Sequence, residues 1–182
     1  MTITPKIPVY VGHKLSGAAE EFLERMRVTF LYVFASVQNC VRIEFLGKGW
    51  TDPKEVYKTD IEEGMGSARI AVLVLDERSD GVIIELCAAV WKFGIPTLVI
   101  YKQGTELSGL VRGLLANFTD RIVVREYSNP NDIVNYLIEM IDTFDLQSDK
   151  PVAFESIRTL KDPTLSNLPP GFAEEVPLYK RE

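Results

Sequence analysis

Ile70-Ala71-Val72-Leu73-Val74-Leu75 is an unbroken apolar run. It is followed, after a few polar residues, by Ser79-Asp80-Gly81 and then by Val82-Ile83-Ile84-Glu85-Leu86-Cys87-Ala88-Ala89-Val90. The first stretch, short and β-branched, reads as a buried central strand. The second opens with helix-starting chemistry and runs on to Phe93-Gly94, with Pro96 beyond, a conventional helix stop. One carboxylate, Glu85, stands in the second turn of this greasy helix. Burying a carboxylate there is costly unless it is paired or used. A helix that follows a central strand places Glu85 near the C-terminal end of the sheet, where open α/β folds put their ligands.

Outward from this unit, strands and helices alternate. Ile7 to Gly12 predicts a first strand, and Ser16 to about Phe34 a helix capped by Ser16, with Phe22, Leu23, Met26, Phe30 and Val33 on one face. Val41 to Leu46 predicts the second strand, followed by a flexible loop, Gly47-Lys48-Gly49-Trp50-Thr51. Asp52-Pro53-Lys54-Glu55 starts a helix that gives out near Gly64-Met65-Gly66. After the Glu85 helix come a strand at Thr97 to Tyr101, a short helix at Leu107 to Ala116, a strand at Arg121 to Arg125, and an amphipathic helix from Asp132 to Phe144 capped by Asn129 or Asn131. Parallel neighbours need crossovers, so five strands separated by helices predict an α/β, flavodoxin-like or Rossmann-like three-layer sandwich. Its five-stranded parallel sheet is expected in the order 2-1-3-4-5. Residues 1–146 make that domain. Residues 147–182 form a proline-rich extension without periodicity, holding Pro151, Pro163, Pro169, Pro170 and Pro177.

The net charge of −6 argues against a duplex-binding face, which would need to be basic. Cys40 and Cys87 lie in apolar stretches outside any metal-ligand spacing and read as buried free thiols. His13 is the single histidine, so no site that needs two is available. No apolar run reaches membrane-spanning length, and the N-terminus lacks the order of a signal peptide. The expectation is a cytoplasmic protein without cofactor or metal, with no membrane or nucleic-acid partner.

Two acids frame the chemistry. In the expected strand order, the helices bearing Asp60 and Glu85 both border strand three. A pair of carboxyl groups flanking one bond is what glycosidic cleavage uses: one attacks the anomeric carbon, the other orients it or handles a proton. The alternatives are structural. Glu85 would be a helix acid paired with Lys92, Arg112 or a backbone group, and Asp60 part of a solvated face with Lys58, Glu62 and Glu63. Gly12-His13-Lys14-Leu15-Ser16-Gly17, at the end of strand one, suits an anion, since glycines let backbone N–H groups approach and Lys14 adds charge. Alternatively Lys14 points to water and His13 caps or packs. Phe45 and Trp50 are candidates for stacking on a base, against the commoner role of packing.

Tyr57-Lys58-Thr59-Asp60, then Ser67 to Asp76, then Ser79-Asp80-Gly81-Val82-Ile83-Ile84-Glu85-Leu86-Cys87-Ala88-Ala89, then Gly94-Ile95-Pro96, resembles the nucleoside 2'-deoxyribosyltransferase family over about residues 7 to 144. Thr105-Glu106-Leu107-Ser108-Gly109-Leu110-Val111-Arg112-Gly113 looks like its 2'-deoxynucleoside 5'-monophosphate N-glycosidase branch. The resemblance implies a nucleophilic Glu85 and Asp60 as its orienting or proton-handling partner. It also implies that Ser79 and Ser108 bind phosphate or sugar, Ser108 often from a neighbouring subunit, hence a homo-oligomer. Gly81 belongs to the Gly-x-x-x-Glu motif, and Gly12, His13 and Lys14 would border the phosphate. Cys87 departs from the family, which has glycine there, and the Gly-His-Lys loop departs from its usual Gly-Pro or Gly-Ser-Ile-Arg. The function expected is cleavage of the N-glycosidic bond of a nucleoside or its 5'-monophosphate, as hydrolase or transferase. Two other readings stand beside it: a Toll/interleukin-receptor-type NAD-cleaving domain, for which Asp60 is not expected, and a non-catalytic nucleotide-binding module.

Overall fold

Every residue of the strand Ile70–Val74 is buried, because its alternating side chains feed two cores. Ile70, Val72 and Val74 join one apolar cluster, and Ala71 and Leu73 the other. The computed structural model describes residues 6–15, 17–43 and 52–147. Its sheet is parallel throughout, in the order β2-β1-β3-β4-β5, with β1 at Ile7–Gly12, β2 at Cys40–Ile43, β3 at Ile70–Val74, β4 at Thr97–Lys102 and β5 at Ile122–Tyr127. The α/β sandwich expected from alternation is present. Helices α1 (Glu20–Ser36) and α5 (Pro130–Thr143) cover one face. The other is covered by α3 (Asp80–Cys87), α4 (Gly109–Asn117) and the helical stretch that follows α2 (Pro53–Tyr57).

Caps decide most boundaries. Asp52 accepts from the Lys54 N–H at 2.9 Å, Ser79 from Val82 and Ser108 from Val111, each at 3.4 Å. Asn129, not Asn131, caps α5, in a reciprocal capping box with Asp132. Ser108 as a cap moves the start of α4 from Leu107 to Gly109. α1 starts at Glu20, after Gly17 with its positive φ of 67°, and its N-cap Ala19 brings no side-chain bond. The expected cap Ser16 lies outside the described residues, as do Phe45, Leu46, the loop at 47–51 and the extension from 148 onward.

Two helices depart from α geometry. After α2 the chain continues as a wider π-helix over Lys58–Met65, and after α3 over Ala88–Phe93, ending at left-handed Gly94. The widened turns pack against each other, and a Cβ on Gly66 would meet the Phe93 ring at a tight 3.2 Å. π-turns are rare in helices and concentrate at functional sites. Here the first carries Asp60 and the second begins three residues after Glu85. No helix among the described residues is long and apolar enough to cross a membrane.

Candidate active site

Strand alternation puts Tyr10 and Gly12 on the same face of β1, the face covered by α3. In the β1–β3 register they lie opposite Ala71 and Leu73. Helix α3 buries Val82 and Leu86 against the sheet. At 3.6 residues per turn Glu85 is rotated about 60° from Val82 to one flank, and Ile83 about 100° to the other. The first flank meets β1. A Cβ placed on Gly12 would fall 1.9 Å from Glu85 Oε2 and 2.7 Å from a Leu73 methyl. The glycine is there because the carboxyl group occupies the volume of any side chain. This is a different reason from the anion cradle expected of it.

Tyr10 is buried at the strand's end and hydrogen-bonds to the Glu85 carboxyl. Asp60, half-buried, is near enough for its charge to act on both. Burial, the largest cause, pushes the Glu85 carboxyl from 4.5 to about 8; the Tyr10 hydrogen bond opposes the rise and the Asp60 charge adds to it. Burial likewise raises Asp60, and burial with the two acids raises Tyr10. Glu85 Oε2 is sealed from solvent with no hydrogen-bond partner among the described residues. Buried acceptors without a donor are rare, and each calls for an explanation.

Neither cation considered as a structural partner for Glu85 is shown beside it. Lys92 is engaged by Glu62 at 3.2 Å and by the Tyr57 hydroxyl at 3.3 Å. Arg112 lies on the far flank of α3, in the hollow described next. Asp60 is half-buried and not on an open face. Tyr10 is the member that sequence reasoning missed. Its signal was available: a polar aromatic in an apolar strand, two residues before a glycine on the same face.

The serines fall elsewhere. Ser79 and Ser108 line a hollow of about 800 Å³ between α3 and α4, with Leu75, Arg78, Cys87, Trp91 and Arg112 among its other walls. Both helix N-termini open into it, a geometry that favours anions. Among the described residues neither Arg78 nor Arg112 has an acidic ion-pair partner. Cys87 is half-buried here, while Cys40 is fully buried. Gly81 sits exposed in the first turn of α3, its missing Cβ 3.6 Å from the Ser79 hydroxyl oxygen. Lys14 is not a free cation; partly exposed, its Nζ lies 3.1 Å from Glu77 Oε2. His13 Nδ1 lies 3.1 Å from the Lys14 carbonyl oxygen, and its ring packs edge-on against Phe22. Burial lowers its pKa.

The β3–α3 loop between the acids and the hollow is held by Asp76. Its side chain is 3% exposed and meets Arg25 of α1 at 3.1 Å, accepts from the Lys102 N–H of β4 at 2.7 Å, and accepts from the Tyr127 hydroxyl of β5. Among the described residues, no group of three or more His, Cys, Asp or Glu is placed to hold a metal ion.

The chain shares its fold with a CMP N-glycosidase. The Clostridium botulinum enzyme BcmB superposes with a TM-score of 0.52 at 16% identity, covering 72% of this chain and 98% of that one. A conserved protein from Enterococcus faecalis V583 superposes with the same TM-score at 12% identity, covering 74% and 98%. At these identities the likeness is one of architecture. No protein-family model and no curated protein matches the sequence.

Proposed function

We propose that the protein cleaves the N-glycosidic bond of a nucleoside or a nucleoside 5'-monophosphate through a glycosyl ester on Glu85. The observation that carries this reading is the Glu85 carboxyl, packed against Gly12, tied to Tyr10 and within the field of Asp60, with Oε2 free of any donor. Attack of the Glu85 carboxylate on C1' forms the C–O ester bond while the C1'–N bond breaks and its electron pair leaves with the base. Asp60 delivers a proton toward the base or orients the nucleophile. Tyr10 donates to the carboxyl and stabilises its ionised form. Water at C1' then completes hydrolysis, and a second base completes transfer. The fold likeness to a CMP N-glycosidase supports the substrate class.

Ser79 and Ser108, with Arg78 and Arg112 near two helix N-termini, are the groups suited to a 5'-phosphate or the sugar. Ile84, Trp91 and the 87%-exposed Leu110 give a second copy apolar surface to cover, so the same reading takes the protein as a homo-oligomer. Asp60 beside Glu85 disfavours the NAD-cleaving alternative. The test is release of free base from a panel of nucleosides, 5'-monophosphates and NAD, with and without an acceptor base. Glu85→Ala is expected to be folded and inert; full turnover by a folded Glu85→Ala protein refutes the mechanism. Ligand binding without base release at any acceptor concentration would favour the non-catalytic module.

A further inference from the structure

We infer that Glu77 sets the discrimination between charged and uncharged 5'-substituents, by competing with a phosphate group for Lys14. This rests on the proposed N-glycosidic reading of the same site. Lys14 is two residues beyond Gly12, whose backbone touches the Glu85 carboxyl, so their Cα atoms are at most roughly 7 Å apart. Lys14 is therefore the cation of the β1–α1 loop that stands nearest the acid. Its charge is already taken: Glu77 holds the ammonium at 3.1 Å, with the two side chains 25% and 35% exposed.

Glu77 is well placed to hold it. The preceding residue, Asp76, is anchored to α1, β4 and β5 by three donors, so the backbone entering Glu77 is fixed from three directions. Glu77 also lines the hollow of Ser79 and Ser108. It thus links Lys14 of the β1–α1 loop to the hollow at the N-termini of α3 and α4. A phosphate approaching Lys14 has to displace a carboxylate of like sign, whereas a neutral 5'-hydroxyl does not. Partial exposure keeps the pair weak enough to exchange, so Glu77 tunes selectivity without abolishing phosphate binding.

The experiment is a two-residue cycle: wild type, Glu77→Gln, Lys14→Gln and the double variant, each assayed for kcat/KM on a nucleoside and on its 5'-monophosphate. Glu77→Gln is expected to raise the monophosphate-to-nucleoside ratio roughly 1.5- to fivefold, the range set by releasing one partly exposed ion pair. In the Lys14→Gln background the same substitution is expected to leave the ratio unchanged. An equal gain in that background would assign the effect to net charge and overturn the proposal, as would an unchanged ratio in Glu77→Gln alone. Calorimetric titration with inorganic phosphate and with the 5'-monophosphate accompanies the assay. If no variant releases base, the N-glycosidic reading fails. The Lys14-dependent gain in anion affinity still decides the role of Glu77.

Discussion

At the scale of single residues, the Glu85 carboxyl governs both activity and stability. With a pKa near 8 in the ligand-free protein, it is mostly protonated at neutral pH, and a nucleophile acts only as the carboxylate. The expected pH profile of kcat/KM therefore rises through about pH 8 and levels above it. Tyr10→Phe removes the donor that favours the ionised form, so that limb moves to higher pH while kcat falls; an unmoved limb would separate Tyr10 from Glu85. The linkage to folding follows the same shift. Below pH 4.5 the carboxyl is protonated in both folded and unfolded chains. Between 4.5 and about 8 the unfolded chain releases the proton and the folded one retains it, so stability declines across that window. Glu85→Gln is expected to melt higher than wild type at pH 8, by an amount on the order of a few kcal/mol, with the gap closing toward pH 4. Thermal melts at the two pH values check this.

At the scale of elements, the approach of β1 to α3 is the feature most open to a decisive substitution. Gly12→Ala puts a methyl where Glu85 Oε2 stands. It is expected to cost about 1–3 kcal/mol of stability by overpacking, and more than a hundredfold in turnover, because misplacing the reacting group by about 1 Å suffices for that. Denaturant unfolding and base-release assays measure the two effects. The capping box of α5 has no part in the site. Asn129→Ala there is expected to cost about 1 kcal/mol and leave turnover intact, measured by the same pair of assays.

For the molecule as a whole, two polar groups flank α3: the acids with Tyr10 toward β1, and the serine-lined hollow toward α4. Asp76 joins the loop between them to α1, β4 and β5. Asp76→Asn keeps the size but removes the charge facing Arg25 and Tyr127, and the expected loss is about 1–3 kcal/mol, read from denaturant midpoints. The alternation of strands and helices, the strand order and most caps were legible in the chain, because they depend on local chemistry: apolar period, a serine or asparagine before a helix, a glycine after one. Glu85 was legible as a candidate because a carboxylate is conspicuous within Val82 to Val90, and Asp60 because the expected strand order sets its helix beside the same strand and the order of motifs resembles a known family. Other features were not legible. The π-turns under Asp60 come from packing between two helical segments. Lys14 reads as a free cation until Glu77, sixty-odd residues later, is folded against it. Gly12 reads as an anion cradle until the side chain of α3 fills its space. By itself, then, the sequence determined the architecture and named the two acids, since periodicity and turn chemistry act within a few residues. Only the tertiary structure decided what Glu85 touches, that Tyr10 bonds to it within the field of Asp60 and that the serines face a separate hollow, because contacts between distant elements exist only once the sheet has brought them together.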